Sequence, residues 1–237
     1  MTATAPTNRR RWLRFSVRTI LVLMVVMAMS LAWKVNRARA QRKAVEALRN
    51  AGVDVVYDYE DSASANGQVA VPPVPAVWVD LFGIDYFADV YGVYFLNSLE
   101  GPAHFRDEST GFPEHVFDDI QMLPTVSSVI ISEATDDELD KLSHAASIDT
   151  LIVSGNFTDA GVAHLSRLER LKHLYIMSPN MSVDGLCQLR RCTRLEQLIA
   201  NGGTDMSEYN LCRLRDSLPN CSVSYGPRPL THPIDTQ

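Results

Sequence analysis

Residues 157–176, FTDAGVAHLSRLERLKHLYI, and residues 181–200, MSVDGLCQLRRCTRLEQLIA, align without a gap. A repeat of about two dozen residues constrains a chain more than any local propensity does, because whatever one copy forms, its neighbour also forms and lies beside it. Extending the frame gives apolar residues three apart in every copy: Phe117, Ile120, Leu123, Val126; Leu139, Leu142, Ala145, Ile148; Val162, Leu165, Leu168, Leu171; and Leu186, Leu189, Cys192, Leu195. A worn last copy keeps Leu211 and Leu214. Ahead of these runs stand Thr135, Thr158, Ser182 and Ser207, separated by 23, 24 and 25 residues. Each hydroxyl can accept a hydrogen bond from an otherwise unpaired amide in the first turn of a helix. Pro113 holds the matching place one copy earlier, where a helix tolerates proline.

After each helical run comes L-x-x-L-x-L or its equivalent: Val90/Val93/Phe95, Val126/Val129/Ile131, Ile148/Leu151/Val153, Leu171/Leu174/Ile176 and Leu195/Leu198/Ala200. Each reads as a short strand. One strand and one helix cannot cover their own apolar faces, whereas stacked copies bury a continuous core and pair their strands in a parallel sheet. The expected fold is therefore an α/β solenoid with parallel strands on its concave face and helices on its convex face, preceded by one transmembrane helix.

On these residues, 87–225 resembles leucine-rich repeats of the strand-plus-helix type with a [TS]-D-x-G-L helix start, here Thr158-Asp159-Ala160-Gly161-Val162. Ser182-Val183-Asp184 and Ser207-Glu208-Tyr209 lack the acid directly after the cap, and residues 97–111 insert into the first copy. The whole layout, with a basic N-terminal span, an Arg-rich stalk and the strand-like VVYDYE at 55–60, further resembles single-span leucine-rich-repeat proteins abundant in planctomycete-type bacteria. The resemblance implies an architecture and a habit of protein binding, and no reaction.

Residues Phe15 to Trp33 are mostly apolar with Arg18 as their one charge, and about 19 residues of helix span roughly 28 Å, close to the roughly 30 Å of a bilayer core. Trp12 and Trp33 stand where interfacial aromatic belts occur, and Arg18 is near enough to one end to snorkel. The rival is a cleaved signal peptide, since Thr19–Trp33 is short and Ala38-Arg39-Ala40 loosely resembles a cleavage site. Lys34, Arg37, Arg39, Arg42 and Lys43 directly after the apolar run suit an uncleaved anchor better. Bases flank both ends of the span almost equally, so charge bias assigns no orientation. The expected organisation is a basic tail (1–14), a transmembrane helix (15–33), a basic helical stalk (34–52) ending at Gly52, a strand, linker and N-terminal cap (53–86), the repeats (87–225) and a disordered tail (226–237). Within the fourth segment, Val53–Tyr59 reads as a strand and Ser62–Pro75 as a linker without assigned structure.

The net charge of −6 hides an asymmetry: residues 1–50 carry eleven Lys/Arg against one acid, which leaves −16 on residues 51–237. Such a surface repels nucleic-acid phosphates and anionic lipid headgroups, so a nucleic-acid partner is not expected. Residues 51–166 hold two bases and twenty acids, while 167–237 hold nine and seven, so the soluble part is itself electrically divided.

In a stack of this kind the residue between the two inward positions of each strand points out of the sheet. That column is Tyr94, Ile130, Ile152, Tyr175 and Ile199, bordered by Gly92, Ser128, Thr150, His173 and Gln197. An apolar stripe on an exposed surface commonly marks an interaction site, which makes Tyr94, Ile130, Ile152, Tyr175, Ile199 and the adjacent His173 the candidate partner-binding residues. The competing reading is that β-branched and aromatic residues favour strands on any face, or that the N-terminal region folds over them.

Other residues invite catalytic readings that their spacing does not support. Asp136, Asp137, Glu138 and Asp140 lie in the first turns of a helix capped by Thr135, where acids complement the helix dipole, and no calcium-loop spacing is present. His104, Glu108, Glu114 and His115 in or beside the insertion match no known mechanism. Cys187 and Cys212 share the slot of Ala163 and are expected as small buried free thiols on adjacent helices, too far apart for a disulfide. Asn156 and Asn180 are expected to bond turn backbone in the neighbouring copy. The sequence thus leads to a non-catalytic module that binds an unidentified protein, without a cofactor, metal or small-molecule substrate, held to a membrane by its N-terminal helix.

Overall fold

In a computed structural model, the structure describes residues 17–65, 67, 69–95, 113–123, 125–203 and 207–225. The basic tail, the insertion at 97–111 and the C-terminal tail lie outside the described residues. The chain forms two compact units, Met1–Arg37 and Ala38–Gln237.

The first unit holds most of the apolar part of helix α1, which runs Val17–Asn50. Its large side chains from Ile20 to Trp33 are exposed, and the Arg37 guanidinium lies 5.9 Å from the centre of the Trp33 ring. The stretch Arg18–Asn50 is long and apolar enough to cross a membrane, a property it shares with signal sequences.

The second unit is built on a seven-stranded sheet whose spatial order is the chain order. The strands are β1 (Asp54–Tyr57), β2 (Val90–Phe95), β3 (Ser128–Ala134), β4 (Thr150–Gly155), β5 (His173–Met177), β6 (Gln197–Asn201) and β7 (Ser222–Tyr225). β1 runs antiparallel to β2, and every later pair is parallel. Parallel neighbours need a crossover, and each is supplied by one short helix. These helices are α4 (Glu114–Gln121), α5 (Asp136–Leu142), α6 (Asp159–Leu165), α7 (Val183–Cys187) and α8 (Glu208–Ser217). Between β1 and β2 lie α2 (Asp58–Ala65) and α3 (Ala76–Phe82).

The step-of-three positions read from the sequence are buried in every full copy, from Phe117 to Leu195, together with the strand residues that follow them. The copies are also stitched at the backbone. The carbonyls of Ser127, Asp149 and Lys172 each accept two amides from the following copy, those of Asp149 and Thr150, Lys172 and His173, and Glu196 and Gln197. This fixes the stacking step independently of side chains, so an apolar position in one copy meets its counterpart in the next.

Two expectations for the N-terminal part differ from what is found. Residues 34–52 do not form a free stalk throughout, because from Ala38 onward α1 belongs to the second unit and buries Ala38, Gln41, Ala44, Val45 and Leu48 within it. These positions recur at helical spacing and form one stripe. The helix ends as the sequence suggests, at Gly52 with φ of 75°. The Val53 amide bonds the Leu48 carbonyl and the Gly52 amide that of Arg49, a Schellman closure that brings Val53 onto the core beside Leu48. Secondly, the strand stops at Tyr57, and Asp58–Ala65 is helical where a strand end and linker were expected. The acids of DYED account for this: Asp58 Oδ1 accepts from the Tyr59 amide and Glu60 Oε2 from the Tyr57 amide, satisfying donors at the helix start.

The caps are solved differently from copy to copy. Thr135 closes a capping box with Glu138, each accepting from the other's amide. Thr158 and Ser182 are held by an acid from the copy before. Asp136 accepts from the Thr158 amide, the Thr158 hydroxyl and the Gly161 amide, all at 2.8 Å. Asp159 accepts from the Ser182 amide and hydroxyl, both at 2.6 Å. The acid of the [TS]-D-x-G-L start thus serves the next helix, and the glycine leaves room for it: a Cβ on Gly161 would lie 2.4 Å from Asp136 Oδ1. Val183 interrupts the relay, and Ser207 makes no side-chain cap bond. Ser182→Ala should therefore cost about 1–2 kcal/mol and Ser207→Ala under about 0.5 kcal/mol in urea unfolding.

Candidate functional site

The sheet brings the outward column into one row. Tyr94 pairs with Ile130, Ile130 with Ile152, Ile152 with Tyr175, and Tyr175 with Ile199. The flanking column is equally in register, Gly92 to Ser128, Thr150, His173 and Gln197. All five residues of the first column are half-buried, unlike the wholly buried leucines and valines on either side of them along each strand. A cross-strand row of this kind shields itself in part, since each side chain covers its neighbours in the sheet.

The two tyrosines are not equivalent. The Tyr94 ring lies over Gly92, where a Cβ would come within 2.9 Å of it, and its hydroxyl is hydrogen-bonded to Ser128. Burial and the nearby Asp61 carboxylate of α2 raise its pKa. Tyr91 is raised by burial, with Asp61 again contributing. At this end the helix α2 and the tyrosine itself take up part of the face, so Tyr94 is committed to the fold and is poorly placed as an anchor. Tyr175 donates to Gln197 Oε1 at 3.3 Å, a long bond on a half-exposed pair. The freest part of the row is therefore Ile152, Tyr175 and Ile199, with Thr150, His173 and Gln197, all half-buried, as its polar border.

The charge division has a structural counterpart. Asp140 pairs with Arg167 at 2.6 Å, Asp149 with Arg170 at 3.2 Å and with Lys172 at 3.7 Å, and Asp184 with Arg213 at 2.8 Å. Each acid reaches a base one copy later. Bases in the last copies are thus partly used to bridge copies, and such exposed pairs contribute little individually.

The residues that invited catalytic readings find other employment. Asp136 serves the next cap, Glu138 its own, and Asp140 the Arg167 pair. Among the described residues no group of three or more His, Cys, Asp or Glu is placed to hold a metal ion. His104 and Glu108 lie outside the described residues, and His115 is exposed on α4. Asn156 and Asn180 bond each other, Nδ2 to Oδ1 at 2.6 Å, instead of turn backbone. That place in the turn is taken by Ser178, wholly buried, whose hydroxyl donates to the Phe157 carbonyl and accepts from the Asn180 amide. All four cysteines are free. Cys187 is only half-buried and Cys212 is exposed, so the expected burial of that slot is met in neither copy.

Two features escaped sequence reasoning. The relay through Asp136 and Asp159 was written in the pattern of losses: Val183 replaces the acid and Asn210 replaces the glycine of the next copy, so both partners disappear together. The second is an exposed apolar surface on α3, in a segment that reads as part of a linker and cap.

The chain defines a class by its geometry: a mixed α/β unit on a seven-stranded, mostly parallel sheet with strand-plus-helix repeats, following a helix apolar enough to cross a membrane. No protein-family model matches the chain, and no curated protein does. Among solved structures, a leucine-rich-repeat protein of Leptospira interrogans is similar to it at 15% identity and a TM-score of 0.32, over 48% of this chain. The match spans 28% of that protein's chain.

Proposed function

We propose that this protein is a membrane-anchored leucine-rich-repeat module, non-catalytic, whose solenoid captures a protein partner on the concave face of its sheet. The observation that carries the reading is the in-register, half-exposed row Ile152–Tyr175–Ile199 with its polar border. Tyr175 supplies a large, stiff amphipathic side chain of the sort that anchors interfaces, and the flanking Thr150, His173 and Gln197 supply hydrogen-bonding groups at the rim. The α1 span would confine the module to a bilayer and so limit its partners to those reachable from that surface.

The double substitution Ile152→Lys and Tyr175→Lys places two charges in the row while leaving the inward positions intact. It should reduce partner capture at least about tenfold with the thermal transition of the full chain little changed. The measurement is photo-crosslinking from position 199 in intact membranes, with and without the substitutions. A crosslink to a different protein that persists in the double variant defeats the concave-face reading. A crosslink to a second copy of the same chain would instead favour an envelope scaffold built by self-association. An enzyme using the insertion at 97–111 would show an activity lost on deleting that segment and untouched by the double substitution.

A further inference from the structure

Helix α3 buries none of its residues, although it is mostly apolar. Val77, Trp78, Leu81 and Phe82 are exposed by 66%, 51%, 69% and 46%, and Val69 and Val71 upstream by more than 70%. At about 100° per residue these four helix positions fall on one arc, and the helix's acid, Asp80, falls outside it. The surface is ordered and aromatic: Trp78 stacks on Phe82 at 5.7 Å, and Phe82 meets Tyr86 edge-on at 6.2 Å. A contiguous exposed cluster of this kind marks a surface that something covers, and a stacked Trp–Phe–Tyr set beside aliphatic residues has the composition of a bilayer-interface anchor.

Two further observations say what covers it. The patch borders α1, because Gln41 donates to the Ala88 carbonyl and to Asp85, and Arg42 Nη1 lies 3.9 Å from where a Cβ on Gly83 would stand. Arg39, Arg42 and Lys43 are exposed on that stretch of α1. Seven residues lie between Trp33, at the end of the apolar run, and Gln41, so the chain itself holds Gln41 no more than about 28 Å from that end. Arg42 is itself paired with Glu46 at 2.9 Å, an exposed pair of little individual strength that leaves its other nitrogens to the surface, and Asp85 is occupied by the Tyr57 hydroxyl at 3.0 Å. A second copy of the chain on this surface would bring together two segments each carrying −16, whereas zwitterionic headgroups set no net charge against that segment and offer phosphates to the exposed bases.

From this geometry we infer that Val77, Trp78, Leu81, Phe82 and Tyr86 form an interfacial membrane-docking surface, seated among lipid headgroups and upper acyl chains, with Arg42 at its border and Arg39 and Lys43 exposed on the same turns of α1. The inference rests on the anchoring reading of α1. Its effect is to make a second attachment beside the span, which would restrain the repeat unit at the bilayer and restrict the directions in which its sheet can face.

The test uses the full chain, one per lipid nanodisc, with Trp12→Phe and Trp33→Phe leaving Trp78 as the sole tryptophan. Neither substitution touches the second unit. Lipids brominated high on the acyl chains should roughly halve Trp78 emission, and aqueous iodide should quench it little. Added Leu81→Asp should reverse both responses with an unchanged far-ultraviolet spectrum. Free quenching by iodide with none by bromolipid overturns the inference and leaves anchoring intact. Shielding from both quenchers means that protein covers the surface, and it also overturns the inference. A chain that does not stay with the discs at all removes the anchoring reading and the docking surface together.

Discussion

Leu48→Ala should destabilise the repeat unit by about 2–5 kcal/mol, the cost of emptying a leucine's place in a packed core. Leu48 is wholly buried although it sits in a stretch with the composition of a solvated basic helix. Its neighbours in the stripe are Ala44 and Val45, and the Schellman closure at Gly52 brings Val53 against the same core. Lys43→Ala, one residue away from the stripe and exposed, should change stability by less than about 0.5 kcal/mol. The measurement is urea unfolding of the full chain in detergent followed by circular dichroism, comparing the two variants. A silent Leu48→Ala would mean that α1 leaves the sheet unit before this residue and that residues 38–50 are a stalk after all. A large effect means that residues 38–50 of α1 belong to the core of the repeat unit.

The repeats were legible because they are written twice over, as apolar periodicity and as a column of caps at nearly constant spacing. Even the pairing register followed, since Tyr94, Ile130, Ile152, Tyr175 and Ile199 were named from the L-x-L pattern and stand opposite one another in the sheet. The cap helix was not legible because its buried stripe is made largely of alanines and a glutamine, residues whose burial leaves no hydrophobic signature, set among five bases. Nor was α2, where DYEDSASA mixes strand-favouring tyrosines with helix-starting acids and the acids prevailed through bonds to Tyr57 and Tyr59 amides. For the candidate site, sequence gave the positions but not their accessibility. Nothing in the pattern says that Tyr94 lies down across Gly92, because that depends on the missing side chain at one position and the ring at another. The α3 surface stayed hidden for the opposite reason: its exposure is the absence of a neighbour, and a sequence marks no absences.

Asp136→Ala and Gly161→Ala should each destabilise the unit by about 2–3 kcal/mol, and together by at least about 1 kcal/mol less than the sum. The acid loses three charge-assisted bonds, to the Thr158 amide, the Thr158 hydroxyl and the Gly161 amide, and leaves a helix start in the next copy unsatisfied. The glycine variant puts a Cβ 2.4 Å from Asp136 Oδ1, so the carboxylate is pushed off the same donors. Once the acid is gone, the next nearest atoms to that Cβ are Leu139 Cδ1 at 2.9 Å and Phe157 Cβ at 3.3 Å, and the leucine's end can rotate away. The two changes therefore break one interaction from its two sides. The last copy has already made the equivalent exchange, with Val183 buried where the acid would stand, Asn210 where the glycine would stand, and Ser207 left without a side-chain bond. A double-mutant cycle in urea measures the coupling directly. Full additivity would show that glycine is required there for some other reason, and that the [TS]-D-x-G start does not owe its Asp and Gly to each other across successive copies.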